Sequence, residues 1–457
     1  MMMKKNTLSA FCRVGCLGAL LLFAAQMPLF AAVTIESWVT KNGAKVFFVE
    51  THAIPVLDIG VDFDAGARRD PPGKAGLASL THRMLARGIT ASEAPLKEDA
   101  MTEAQISDTF ADVGAERSGE VGMDRAGVTL RILSSPKESA RAIRVLARVM
   151  AQPAFPAELL ARDQKRAISA LRESLTQPET IAARAFAETI YGAHPYAVAP
   201  TPESLGALTR DDMLAFHKRY YVAQSAVVTI VGDASRARAE AMAEEISMRL
   251  VPLPAGEKLP AMPEVPAATA HEKRIAHPAT QSHILVGMPA LRRGDPDFFP
   301  LVVGNYILGG GGFVSRLMQE VREKRGLSYS VFSRFEPRLQ KGPFVIKLQT
   351  RQAQTDEALG VVREVFNAFM RDGPTEAELK AAQDNLAEGF PLRLDNNAKV
   401  LALTSMIGYY GLPTDYLNNW TARVRAVKVG DIRAAFARKL SDKTLSTVIV
   451  GAEKPQQ

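Results

Sequence analysis

Two stretches of this chain, 220 residues apart, carry the same design. Residues 211–233 read DDMLAFHKRYYVAQSAVVTIVGD and residues 431–452 read DIRAAFARKLSDKTLSTVIVGA. Asp211 and Asp431 stand 220 apart, as do Phe216 and Phe436, while Gly232 and Gly451 stand 219 apart. Each copy is a short amphipathic helix, a polar turn, and a β-branched run that reads as a buried strand ending in glycine. Because each closes one half of the chain, the repeat implies a duplicated domain. Between the halves, VPLPAGEKLPAMPEVPAATA (251–270) holds five prolines and no clear periodicity, the mark of an extended linker. The expected division is a leader at 1–32, a first domain at 33–250, the linker at 251–270 and a second domain at 271–457.

Both halves mix strands and helices. In the first, AKVFFVE (44–50) and VLDIGVDFDAG (56–66) read as strands, and long helical stretches follow at 136–150 and 157–193. In the second, QSHILVGMPA and PFVIKLQTR read as strands, with a helix at 297–307. Strands covered by helices predict an α+β layer structure in each half.

The first 32 residues form a separate segment. MMMKK and Arg13 give a basic start, VGCLGALLLFAA an apolar run, and MPLFAA a small-residue exit. This is the layout of a secretory signal peptide cleaved near Ala31 or Ala32, which predicts export, to the periplasm, with no membrane span left after cleavage. Cys12 and Cys16 both lie inside it, so the mature chain has no disulfide and no cysteine-ligated zinc. Losing Lys4, Lys5 and Arg13 with it takes the net charge from +7 to about +4. That small charge, with no basic cluster among aromatics, excludes a nucleic-acid partner.

GLASLTHRMLARG (76–88) sets Leu77, Leu80, Met84 and Leu85 at helical spacing and groups Ser79, His82 and Arg83 on one face. No other histidine pairs with His82 at three- or four-residue spacing: the rest are His52, His194, His217, His271, His277 and His283. A lone histidine of this kind reads as a surface or packing residue rather than a metal ligand.

Taken in order, NGAKVFFVE, DAGARRDPPGKAGLASL, LTRDDMLAFHKRYYVAQSAVVTIVGD, ILGGGGFVSRLMQEVREKRGLSYSVFS and TEAELKAAQDNL resemble the pitrilysin or insulinase family of zinc peptidases, peptidase M16, over essentially the whole mature chain. The resemblance implies two homologous α+β domains of about 220 residues, each a mixed sheet covered by helices, in a clam-shell arrangement joined by the Pro-rich linker. Active members carry H-x-x-E-H on the first helix, two histidines binding zinc and the glutamate acting as base. Laid on that pattern, Ser79 and Arg83 take the histidine positions and His82 the glutamate, while Ala170 takes the place of a third, glutamate ligand, with Glu173 three residues on. A guanidinium has no lone pair and repels a dication, so the resemblance implies a chain that binds no metal.

The second half keeps what the first has lost. Arg322 and Tyr329, seven apart, match a pair that in active relatives reaches the zinc-bearing half. By resemblance, Tyr329 donates to the oxyanion and Arg322 holds substrate carbonyls. Left to its own spacing, the pair reads as a helix-capping arginine and a strand-packed tyrosine. The run Gly309, Gly310, Gly311 and Gly312 lacks the Lys-Ser/Thr of a phosphate loop and suits close passage of a substrate chain or subunit instead. In SRLMQEVREKRG, Arg316, Lys324 and Arg325 read as solvated charges. A lost zinc motif beside a retained Arg/Tyr pair resembles the non-zinc subunit of bacterial two-chain members. The expected partners are a zinc-bearing homologue, which holds the zinc, and an extended peptide substrate added to a sheet edge. Two rivals stand beside this: a purely structural subunit and an exported peptide-binding protein acting alone.

Overall fold

The computed structural model describes residues 32–93, 95–254 and 256–451. The leader and its two cysteines therefore fall outside the described residues, apart from Ala32. Along the first half run β1 (Glu36–Val39), β2 (Lys45–Glu50), β3 (Val56–Phe63), α1 (Leu77–Met84), α2 (Glu103–Asp112), β4 (Glu116–Val121), β5 (Ala126–Leu133), α3 (Pro136–Ala151), α4 (Ala157–Ser174), α5 (Pro178–Tyr191), α6 (Arg210–Tyr220), β6 (Val227–Gly232) and α7 (Arg236–Ser247). The second half holds β7 (Glu272–Ala276), β8 (Gln281–Leu291), α8 (Phe298–Asn305), β9 (Val331–Phe335), β10 (Gly342–Arg351), α9 (Thr355–Asp372), α10 (Glu376–Gly389), α11 (Asn397–Tyr410), α12 (Tyr416–Ala426), α13 (Val429–Lys439) and β11 (Ser446–Gly451).

The first sheet has the order β1-β2-β6-β3-β5-β4 and the second β9-β10-β8-β11-β7. Reversed, the second repeats the first without β1. Each has one parallel pair, β2 with β6 and β7 with β11, formed by the strand that closes the half, and antiparallel pairs elsewhere. Helices α3, α4, α5 and α6 are followed 219 residues later by the starts of α9, α10, α11 and α13. The duplication extends to single hydrogen bonds. Gln164 donates its amide to the carbonyls of Leu205, Gly206 and Leu208, and Gln383 to those of Val424, Arg425 and Val427, each again 219 further on.

The 157–193 stretch, expected as one helix, is two. Pro178 has no N–H to donate and pushes Gln177 into extended backbone (φ −86°, ψ 125°), so α4 ends and α5 leaves in a new direction. That break matters because α5 packs on the sheet of the other half, against β8 and β11, while α11 packs on the first sheet, against β3 and β6. Glycines permit the close approach: a Cβ on Gly408 of α11 would stand 2.6 Å from the Phe47 ring, and one on Gly287 of β8 would stand 3.0 Å from Phe186 of α5. One face of the first sheet buries Val46, Phe48, Ile59 and Val61 with Met84, Leu146, Phe216 and Ile246 from the helices of its own half. Residues 34–451 form one compact unit.

The last tyrosine of each exchanged helix reaches the turn of the opposite hairpin. Tyr191 donates to the Lys341 carbonyl at 3.0 Å, and Tyr410 to Asp124 Oδ2 at 2.9 Å. Asp124, buried, also accepts from the Tyr196 hydroxyl (2.7 Å) and the Leu339 N–H (2.8 Å), and lies 3.3 Å from Arg68. The Tyr409 hydroxyl takes its backbone carbonyl at 2.6 Å. Burial and the Asp124 charge push the phenols of Tyr196 and Tyr410 well above the ordinary range, which keeps them donors. No helix among the described residues is long and apolar enough to cross a membrane.

Candidate functional site

Helix α1 is held by its N-terminus. Asp70 accepts the backbone N–H groups of Gly76 and Ala78, each at 2.7 Å, and burial raises its carboxyl to about 6 even though those bonds pull the other way. Leu77, Ala78, Leu80 and Met84 point into the core, which turns Ser79 and Arg83 to solvent and leaves His82 half-buried. All three line a cleft of about 730 Å³ between α1, α2 and the edge strand β4. Ala170 is exposed on α4 with Glu173 one turn beyond it, and neither lines the cleft.

The chemistry of this face does not fit zinc. Ser79 offers a neutral hydroxyl, Arg83 a permanent cation, and Ala170 a methyl. His82 is packed instead. A Cβ on Gly119 of β4 would stand 2.7 Å from its Nε2, and its Nδ1 is buried with no hydrogen-bond partner. Burial, helped by the nearby Arg117 charge, lowers its pKa to about 4, so the ring is neutral at physiological pH. Among the described residues, no group of three His, Cys, Asp or Glu side chains stands together to hold a metal ion.

Arg322 and Tyr329 come together elsewhere, and no residue of the 309–329 segment lines the cleft. The Arg322 guanidinium lies 4.8 Å from the Tyr329 ring centroid and 4.7 Å from that of Phe313, held between two aromatic faces. Among the described residues, its one ion pair is with the neighbouring Glu323 at 3.3 Å. Tyr329 precedes β9 and is 84% exposed, so it does not pack in a strand. Phe313 and Val314 beside it are 64% and 63% exposed.

The glycine run joins a π-helical turn (Tyr306–Gly310) to a short 3-10 turn (Gly312–Val314). Gly309 is buried, and a Cβ there would meet Ser333 Oγ at 2.4 Å and Leu317 at 2.7 Å. Its need for glycine comes from its own chain, so the expected substrate contact is corrected at this position: a buried residue has no surface to offer. Gly310 and Gly312 are exposed and Gly311 half-buried, with Gly312 at φ +62°. Arg316 is likewise not the solvated charge its sequence suggested. It grips Glu378 through two bonds of 2.7 Å, lies 5.2 Å from the Phe369 ring, and pulls the Glu378 carboxyl down to about 2. Lys324 and Arg325 are exposed and share Glu320.

Sequence reasoning missed Arg87 and Arg117. The strand that carries Arg117, ERSGEV (116–121), has no apolar face to signal it; its pleat turns Glu116 and Glu120 towards Asp58 and Asp62, and Arg117 and Gly119 towards α1.

Duplicated sheets with exchanged helices, and a first helix stripped of ligands, define a homologue of two-domain metallopeptidases that has lost its metal-binding face. Residues 207–386 match the family described as "Peptidase M16 inactive domain". A peptidase M16 inactive domain from Pseudomonas fluorescens is 33% identical, with a TM-score of 0.86 over 93% of this chain and 99% of that one. The "Uncharacterized zinc protease YmxG" of Bacillus subtilis is 22% identical over 80% of this chain and 86% of its own length. The "Non-peptidase homolog YmxG" of Helicobacter pylori is 23% identical over 95% and 98%. The chain belongs to the peptidase M16 family.

Proposed function

We propose that this chain is the non-zinc subunit of an exported M16-type heterodimer. It supplies Tyr329 and Arg322 to the zinc site of a partner subunit that cleaves extended peptides. The observation that carries this is the exposure of Tyr329. A large aromatic side chain 84% in solvent, stacked on an arginine clamped by a second exposed ring, is suited to act on something outside its own chain. Its hydroxyl can donate to the oxyanion of a substrate carbonyl as negative charge develops, without itself losing a proton. Arg322, held flat by two rings, keeps donors free for substrate carbonyls. The H. pylori relative's printed name, a non-peptidase homologue, agrees with a chain that does not cut alone. Export rests on the leader, and fractionation that finds the chain in the cytoplasm would refute it.

The test is reconstitution. The chain alone is expected to be inert on unstructured peptides, and mixing it with an intact H-x-x-E-H homologue from the same organism to create chelator-sensitive cleavage. Tyr329→Phe keeps the stack on Arg322 and removes only a hydroxyl, so assembly should persist while kcat falls about 10²-fold. Arg322→Ala should harm both kcat and KM. A Tyr329→Phe complex that assembles and retains full kcat ends the assignment.

A further inference from the structure

The cleft beside α1 holds two cations that no carboxylate among the described residues neutralises. Three arginines line it, Arg83, Arg87 and Arg117, with Arg162 behind Arg87 on the same two carboxylates. Arg87 is taken by Glu103 and Asp163, and Arg162 by the same two carboxylates. Arg83 and Arg117 remain: among the described residues, no carboxylate lies within 4 Å of either. They approach the same space from two elements, Arg83 from the helix and Arg117 from the strand, with the Ser79 hydroxyl exposed beside them. His82 between them is neutral, so it adds no charge of its own. Although Arg117 is an exposed residue, the packing around its guanidinium and then repulsion from Arg87 hold it below the usual arginine range. An anion placed in the cleft relieves that repulsion.

The free edge of β4 says what kind of anion. This strand ends the sheet, Glu116 to Glu120 are all exposed, and Ser118, Gly119 and Glu120 border the cleft. Unpaired N–H and C=O groups along an edge accept an extended chain rather than a nucleotide or an isolated phosphate. Planar guanidiniums suit a carboxylate, which each can meet with two parallel N–H donors.

We infer that the cleft between α1 and β4 binds a peptide carboxylate, a chain terminus or an acidic side chain, gripped by Arg83 and Arg117 where active relatives hold zinc. This is independent of the role given to Tyr329 and Arg322, and it can stand or fall alone.

Calorimetry on the full exported chain, with no partner, tests it with three probes: acetyl-Ala-Ala-Ala-Ala with a free C-terminus, the same peptide amidated, and acetyl-Ala-Glu-Ala-Ala-amide. The expected result is binding of at least one charged peptide and none of the neutral one, and which charged probe binds tells terminus from side chain. Binding should weaken with added salt and fall about tenfold in Arg83→Gln and again in Arg117→Gln. Should Arg117→Gln not fold, the wild type still reports: bound carboxylate offsets the Arg117 charge, so the NMR titration of His82 should move upwards from about 4. Equal binding of the neutral peptide, unchanged affinity in both variants, an unmoved His82 titration, no binding at millimolar peptide, or acetate binding as tightly as the peptides would each overturn the inference.

Discussion

The first helix of each half makes the sharpest comparison in the molecule. Helix α1 ends against β4 across a cleft, with a histidine ring over a glycine and arginines on either side. Helix α8 ends against the equivalent edge strand, β9, by direct hydrogen bonds: Asn305 donates to the Ser333 carbonyl at 3.0 Å and accepts from its hydroxyl at 2.7 Å. The chain then continues into the glycine turn that leads to Arg322 and Tyr329. One scaffold thus serves two purposes. In the first half, the gap between helix and strand is where side chains can face a ligand, and those side chains cannot hold a metal. In the second, the gap is closed, and Arg322 and Tyr329 are carried out to the surface beyond it. The lesson is that duplication fixed the frame, while two or three residues at the helix–strand contact decided which half keeps a cleft.

That comparison breaks most severely if the two halves are not one body. Asp124→Ala should cost about 3–5 kcal/mol, because it removes the shared acceptor of Tyr196, Tyr410 and Leu339 and strips buried Arg68 of one of its two carboxylates. Urea unfolding should show both halves destabilised in a single transition; a variant that melts in two steps would mean the exchanged helices do not couple them.

Next comes the anchoring of α1. Asp70→Ala frees the N–H groups of Gly76 and Ala78 and should cost about 2 kcal/mol, with loss of any ligand bound in the cleft and no change in the environment of Tyr329. A perturbed Tyr329 signal by NMR would show that the two sites are linked.

A pH effect of similar size comes from three buried groups of the first half, His82, His217 and Asp70. His82 and His217, the latter donating its Nε2–H to the Met150 carbonyl at 2.7 Å, are both lowered to about 4. Their unfolded forms take up protons first, so their contribution is full above about pH 6.5 and is lost as pH falls towards 4. Asp70, raised to about 6, opposes this: its contribution is full below its ordinary value and is lost as pH rises through 6. Two histidines outweigh one carboxyl, and stability should drop by about 2–3 kcal/mol between roughly pH 7 and pH 5. A flat profile by urea midpoints would show that His82 and His217 are not buried as described.

The smallest expected effect sharpens the account of the cleft. Gly119→Ala puts a methyl against the His82 ring and the Gly127 carbonyl, and should cost about 1–2 kcal/mol while displacing the imidazole. His82 chemical shifts that stay put would remove β4 from the list of things that hold the ring.

Much of this was legible in the sequence because duplication leaves a linear trace. The spacing of Asp211, Phe216 and Gly232 from their counterparts, and the substitutions at Ser79, His82, Arg83 and Ala170, follow from residue identity and order alone. Ligand chemistry is local: an arginine in a histidine's place cannot bind zinc in any fold. The strand at 116–121 was not legible, since ERSGEV has no apolar face to announce it. Without that strand, Arg117 could not be placed opposite Arg83. Nor could sequence show that Pro178 sends α5 onto the other sheet, that Asp124 gathers tyrosines from both halves, or that Gly309 is glycine because of Ser333. Those are contacts between residues tens to hundreds of positions apart. The sequence by itself determined which chemistry this chain has lost and that it is built twice; tertiary structure alone decided where its unpaired charges and its exposed tyrosine meet the outside, because pairing and burial depend on which distant segments the fold brings within reach.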